Sequence, residues 1–102
     1  MAVAIANPTD MDFVAELFST AVRHDEAAKE LWVRLHQDVV ELWLVTKPID
    51  LDTEHRFYQI SQSLYSAFPP SRVAFHLVNP EMFEPFVLEQ IIPAGAERRS
   101  LH

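Results

Sequence analysis

A chain of 102 residues, 49% hydrophobic and 11% aromatic, has the length and apolar supply of a single domain, taken here as residues 1–102. Its one glycine, Gly95, excludes the glycine-rich phosphate cradles; the absence of cysteine excludes disulfides, thiolate nucleophiles and cysteine-bound metal centres, and fits a reducing cytoplasm. Eight basic against fifteen acidic side chains, a net charge of -7, argue against nucleic acid, and apolar runs such as Met1–Ala6 fall short of the roughly 20 residues that cross a bilayer, so no membrane association is expected.

Pro8 and Thr9 open the first element, where Thr9 can cap and Asp10 and Asp12 favour the positive end of a helix. Phe13, Val14, Leu17, Phe18, Ala21 and Val22 recur at spacings of three and four, which predicts a helix to about His24 with one stripe against a core. Asp25 to Glu30 are good helix formers and could extend it. The alternation of Leu31, Val33 and Leu35 with Trp32, Arg34 and His36 instead favours a strand from about Leu31. Gln37-Asp38 then turns a hairpin, and without glycine a loose turn or a bulge is expected.

Val39 to Thr46 is β-branched and aromatic with apolar residues at both parities, the pattern of a central strand covered on both faces. Lys47-Pro48 ends it. Asp50 or Asp52 can cap a second helix whose stripe is Phe57, Ile60, Leu64 and Phe68, flanked by Tyr58 and Tyr65 and stopped by Pro69-Pro70. Val73 to Val78 reads as another interior strand. Two strands joined through a helix form a right-handed crossover and run parallel.

Asn79 can cap a turn or short helix beginning at Pro80, and Pro85 restarts it. Phe86, Val87, Ile91 and Ile92 form a last apolar patch before the turn Pro93-Ala94-Gly95. Residues 1–8 and 97–102 are expected as flexible or edge segments. No repeat, low-complexity tract or linker is present. The fold class that follows is α+β, a small mixed sheet built from a hairpin and a parallel crossover with two to three packed helices, its core including Leu42, Leu44, Phe75 and Leu77.

Two polar residues interrupt the apolar strands. Glu41 either faces water or an arginine such as Arg34 or Arg72, or its charge is desolvated. His76 reads first as a neutral ring held by backbone or a carboxylate. On neighbouring strands the two could meet as a carboxylate and the imidazole it orients, catalytic candidates whose meeting depends on register. His36 and Asp38, with Glu41, are weak metal candidates, since two ligands without a defined third make no site.

His24 with Asp25 and Glu26, and Asp50, Asp52 and Glu54 with His55, read as solvated helix ends. No serine stands in a Gly-x-Ser-x-Gly elbow. Trp32, Trp43, Phe75 and Tyr58 read as core or interface rather than as a stacking platform. The seven Phe, two Trp and two Tyr exceed what so small an interior covers, which predicts a homodimer with its patch at Trp32, Phe83 and Phe86.

The order helix, hairpin, helix, strand and closing turn, around Gln37-Asp38-Val39-Val40-Glu41-Leu42-Trp43-Leu44-Val45, resembles the core of minimal nucleotidyltransferase domains over residues 10 to 100. In that family a Gly-Ser pair precedes a strand with two metal-binding acids one residue apart, and a third acid lies on the next parallel strand. Glu41 matches the second acid; Val39 stands at the first, His76 or its neighbours at the third, and no Gly-Ser precedes them. The resemblance therefore implies the fold. The sequence predicts a non-catalytic cytoplasmic binding or assembly module without a cofactor. A degenerate nucleotidyltransferase-fold enzyme or metal-dependent nucleotide binder is the alternative.

Overall fold

The computed structural model describes residues 8–67, 72–82 and 91–101. Its elements are α1 (Pro8–Val22), β1 (Ala28–His36), β2 (Val39–Thr46), α2 (Leu51–Ala67), β3 (Val73–Val78), a 3₁₀ turn at Pro80–Met82, and β4 (Glu97–Arg99). The protein is α+β, with a four-stranded mixed sheet in the order β3-β2-β1-β4. β1 is antiparallel to β2 and β4, and β2 is parallel to β3.

The buried stripe of α1 is narrower than expected: Val14, Phe18 and Val22 are buried, whereas Phe13 at 58%, Leu17 at 40% and Ala21 are exposed, because two helices on a small sheet cover only one side of α1. The helix ends at Val22, because Asp25 accepts the Ala27 N–H through Oδ1 at 2.9 Å and turns the chain into β1 three residues ahead of the expected start. On β1 and β2 the period of two divides the sheet. Leu31, Val33, Val40, Leu42 and Leu44 share one core with α1 and with Phe57 of α2. Trp43, Val45 and Val78 form a second cluster on the opposite face, packed by Trp32, Ile91, Ile92 and Ala96. β2 is thus buried on both faces, as its two-parity pattern requires.

Two expectations are corrected. The hairpin turn is tight: His36 pairs with Val39, leaving Gln37 and Asp38 as a two-residue loop at φ 51° and 66°. Both central residues lie in the left-handed region that a primed turn demands, because that turn matches the twist of the strands it joins. Tertiary pairing has overridden the local preference of Gln37, at a cost of about 1–2 kcal/mol per residue relative to glycine. Replacing Gln37-Asp38 by Asn-Gly is expected to raise the urea midpoint, with a gain of about 1–2 kcal/mol at unchanged slope.

The second correction concerns β3, which is an edge strand among the described residues and not an interior one. Its run is apolar because it packs under α2, not because strands flank it on both sides. Phe75 and Leu77 are accordingly only partly buried, whereas Leu42 and Leu44 on β2 are fully enclosed. Phe75 sits 5.1 Å from Phe18 and 5.8 Å from Tyr58 between ring centroids, joining β3 to both helices.

Asp50 caps α2, accepting the Thr53 N–H at 2.9 Å. That bond, followed by one from the Thr53 hydroxyl, holds the Asp50 carboxyl below its ordinary 3.8. A carboxyl lowered in the folded state contributes fully above its unfolded value and loses that contribution as pH falls through the lowered one. The helical signal of α2 is expected to weaken on acidification below about pH 4, and Asp50→Asn is expected to reduce that dependence in circular dichroism, with Asp52 and Glu54 of the first turn accounting for what is left.

Candidate functional site

The polar residues singled out in the strands lie on the sheet face opposite the helices. Odd-numbered residues of β2 point there, and the register sets Arg34 of β1 opposite Glu41 and His76 of β3 opposite Trp43. The Arg34 guanidinium grips one carboxylate oxygen of Glu41, with Nη2 at 2.8 Å and Nε at 2.9 Å. Both side chains are about one-fifth exposed, so the pair is partly screened from water. Arg34 is one of the two arginines that the sequence offered to Glu41.

Trp43 is the centre of this face. The His76 ring stacks on it at 5.1 Å and 16°, and the Arg34 guanidinium lies 5.8 Å from its centroid. Because β3 and β1 flank β2 on opposite sides, Trp43 has an imidazole toward one neighbour and a cation toward the other. Further along, the Trp32 indole N–H donates to Glu30 at 3.2 Å, and Glu30 reaches Arg98 of β4 at 3.4 Å.

Glu41 and His76 therefore share a face as diagonal neighbours, since Glu41 stands opposite Ala74. They turn to different partners: Glu41 to Arg34, His76 to Trp43. His36 is exposed at the end of β1, and Asp38 is exposed in the turn. Among the described residues, no group of three His, Asp or Glu side chains could hold a metal ion. Trp32 is half-buried against the second cluster, and Phe83 and Phe86 lie outside the described residues.

Asn79, expected only as a cap, is a heavily bonded side chain among the described residues. Asn79 follows β3 and is 2% exposed. Its Oδ1 accepts the Glu81 N–H at 3.1 Å, which is the cap, and also the Ile49 N–H at 3.1 Å. Its Nδ2 donates to the Ile49 carbonyl at 2.9 Å and to Glu54 Oε2 at 2.7 Å. The carboxyl ends of parallel strands are where open α/β sheets seat ligands. At the β2–β3 pair, the carboxamide is spent on tying the β2–α2 loop to the start of the 3₁₀ turn.

Asp25, read as a solvated helix end, also has a structural duty. Its Oδ2 binds Arg56 of α2 at 2.6 and 3.0 Å, while Oδ1 turns the chain into β1. The Asn79 and Asp25 contacts bridge 30 and 31 positions along the chain, beyond any local spacing rule. Asn79-Pro80, with polar Asn directly after an apolar strand, was the one available signal for a buried amide. No known protein family, curated protein or solved structure matches this chain.

Proposed function

We propose that this chain is a non-catalytic binding and assembly module of the cytoplasm that works as a homodimer. The observation that carries the reading is the Arg34–Glu41 pair: the carboxylate that a reaction would need is already neutralised by a guanidinium at 2.8 Å. His76 supports it, since its ring stacks on Trp43 while Glu41 is held by Arg34, so Glu41 does not orient the imidazole. A carboxylate and an imidazole act together when the acid orients the ring, and here the carboxylate is held by a guanidinium instead.

A second reading has its own observation. The parallel β2–β3 pair sets Glu41 and His76 on one face as neighbours, the arrangement a degenerate nucleotidyltransferase fold or a metal-dependent nucleotide binder would use. Thermal melts with Mg²⁺, Mn²⁺, Zn²⁺ and nucleoside triphosphates separate the two, because a ligand that binds the folded state raises the midpoint by mass action. A flat midpoint is expected. A rise that disappears in Glu41→Gln would establish the second reading instead. That variant is itself expected to stay folded, with a loss of about 1–2 kcal/mol from the missing charge-assisted bond. Light scattering is expected to give twice the 11.7 kDa chain mass.

A further inference from the structure

The two edges of the sheet are built differently. β4 is three residues long, and all three, Glu97, Arg98 and Arg99, are charged, which blunts it against further pairing. β3, the opposite edge among the described residues, runs for six residues with no proline, and His76 is its one ionisable side chain. The phase of its hydrogen bonds follows from the ladder. Val40 N–H donates to the Arg72 carbonyl while Val40 stands opposite Val73, so the backbone groups of Ala74, His76 and Val78 turn toward β2. Those of Val73, Phe75 and Leu77 turn outward. Beside them Phe75 and Leu77 are partly exposed, and Tyr58, 45% exposed, stands edge-on to Phe75.

We propose that a second copy of this chain occupies this edge, β3 pairing antiparallel with β3 of a two-fold-related copy to merge the two sheets into one. The inference rests on the homodimer reading above and supplies its surface. Two features select a second copy over another extended partner. An antiparallel ladder of a strand with itself is closed by a two-fold axis, so the strip is complementary to its own copy without any further fitting. It is also free of Asp and Glu in a chain of net charge -7, so two copies meet there without opposed carboxylates.

The register follows from the same phase. Outward groups meet outward groups only when residues of like parity face each other, which also keeps the helices of both copies on one side of the joint sheet. Centring on Phe75 uses all three outward residues: Phe75 faces its own copy, and Val73 faces the partner's Leu77. Ala74 then stands opposite the partner's His76 as a close, non-hydrogen-bonded pair.

The chain has no cysteine, so an engineered disulfide reports this contact without background. Under mild oxidation the double variant Ala74→Cys/His76→Cys is expected to form a covalent dimer on a non-reducing gel. Each single variant is expected to stay monomeric there, because like positions lie on the diagonal, beyond the roughly 7 Å that a disulfide spans between Cα atoms. In the unmodified protein, amide exchange is expected to slow at Val73, Phe75 and Leu77 as concentration drives dimerisation. A light-scattering dimer whose outward amides exchange freely and whose double variant does not cross-link overturns the β3 surface and leaves the homodimer reading standing. Dissociation of that dimer by Trp32→Glu would then place the contact at the other sheet face. Cross-linking of His76→Cys alone overturns the register. A monomer mass from micromolar to millimolar concentration overturns the homodimer reading and the β3 pairing with it.

Discussion

Replacing Leu44 by alanine is expected to cost about 2–5 kcal/mol, read as a fall in the urea midpoint. Leu44 is fully enclosed on the central strand, between Leu31 of β1 and Leu77 of β3 in the register, under the helical layer. Truncation removes the transfer energy of the lost carbons and leaves a cavity. Collapse is restrained, because β2 is bonded on both sides and cannot shift toward the helices without breaking a ladder. For a domain near this size each kcal/mol lowers the melting midpoint by about 4–8 °C, so the loss is visible in a simple thermal scan. A loss below about 1 kcal/mol would show that β2 is not the packed centre of the sheet.

Asn79→Ala is expected to be of similar severity, about 3 kcal/mol, for a different physical reason. The substitution removes few carbons. It strips partners from the Ile49 N–H and carbonyl, the Glu81 N–H and the Glu54 carboxylate, around a side chain that is 2% exposed. Ile49 and Glu54 are partly buried, and a group left without a partner there carries part of a desolvation cost of about 1–3 kcal/mol, while water entering the gap and reaching the exposed Glu81 recovers the rest. Asn79→Asp isolates the donor half of the argument. It keeps the acceptor and sets a second carboxylate against Glu54, now 2.7 Å from Nδ2. At neutral pH it is expected to destabilise at least as much as alanine. Adding Glu54→Gln should recover stability, since the glutamine amide can donate to the aspartate; an additive double mutant would show that the two residues are not coupled.

The same two substitutions mark how far the amino-acid sequence reaches. Leu44 was legible because a strand covered on both faces must be apolar at both parities, a constraint contained within eight consecutive residues. The helix α1 with its buried Val14, Phe18 and Val22, the cap of α2 at Asp50 and the parallel crossover through α2 were legible on similar grounds, each resting on spacing or on the chemistry of neighbouring positions, whereas the exposure of Phe13 and Leu17 was not. The role of Asn79 was not. A polar residue after a strand looks the same whether it faces water or closes four hydrogen bonds, and its partners at Ile49 and Glu54 lie 30 and 25 positions away.

Glu41 shows the boundary most clearly. Its place in an apolar strand identified it as a residue needing an explanation, and an arginine was among the explanations, since a half-buried carboxylate requires a partner. Which arginine answers depends on the hairpin register, and that register depends on a tight turn at Gln37-Asp38 that Gln37 does not favour. The pairing of β1 with β2 imposes the turn against local preference, so no window centred on the turn could have predicted it.

By itself, then, the sequence determined the kinds of element, their order and which faces of them are apolar, because these follow from periodicity and capping within short windows. Only the tertiary structure decided that β3 is an edge among the described residues, that Arg34 neutralises Glu41, that His76 rests on Trp43, and that Asn79 binds the β2–α2 loop. Strand order and register are settled by the summed packing and hydrogen bonding of segments far apart in the chain, and a single position carries no trace of that sum.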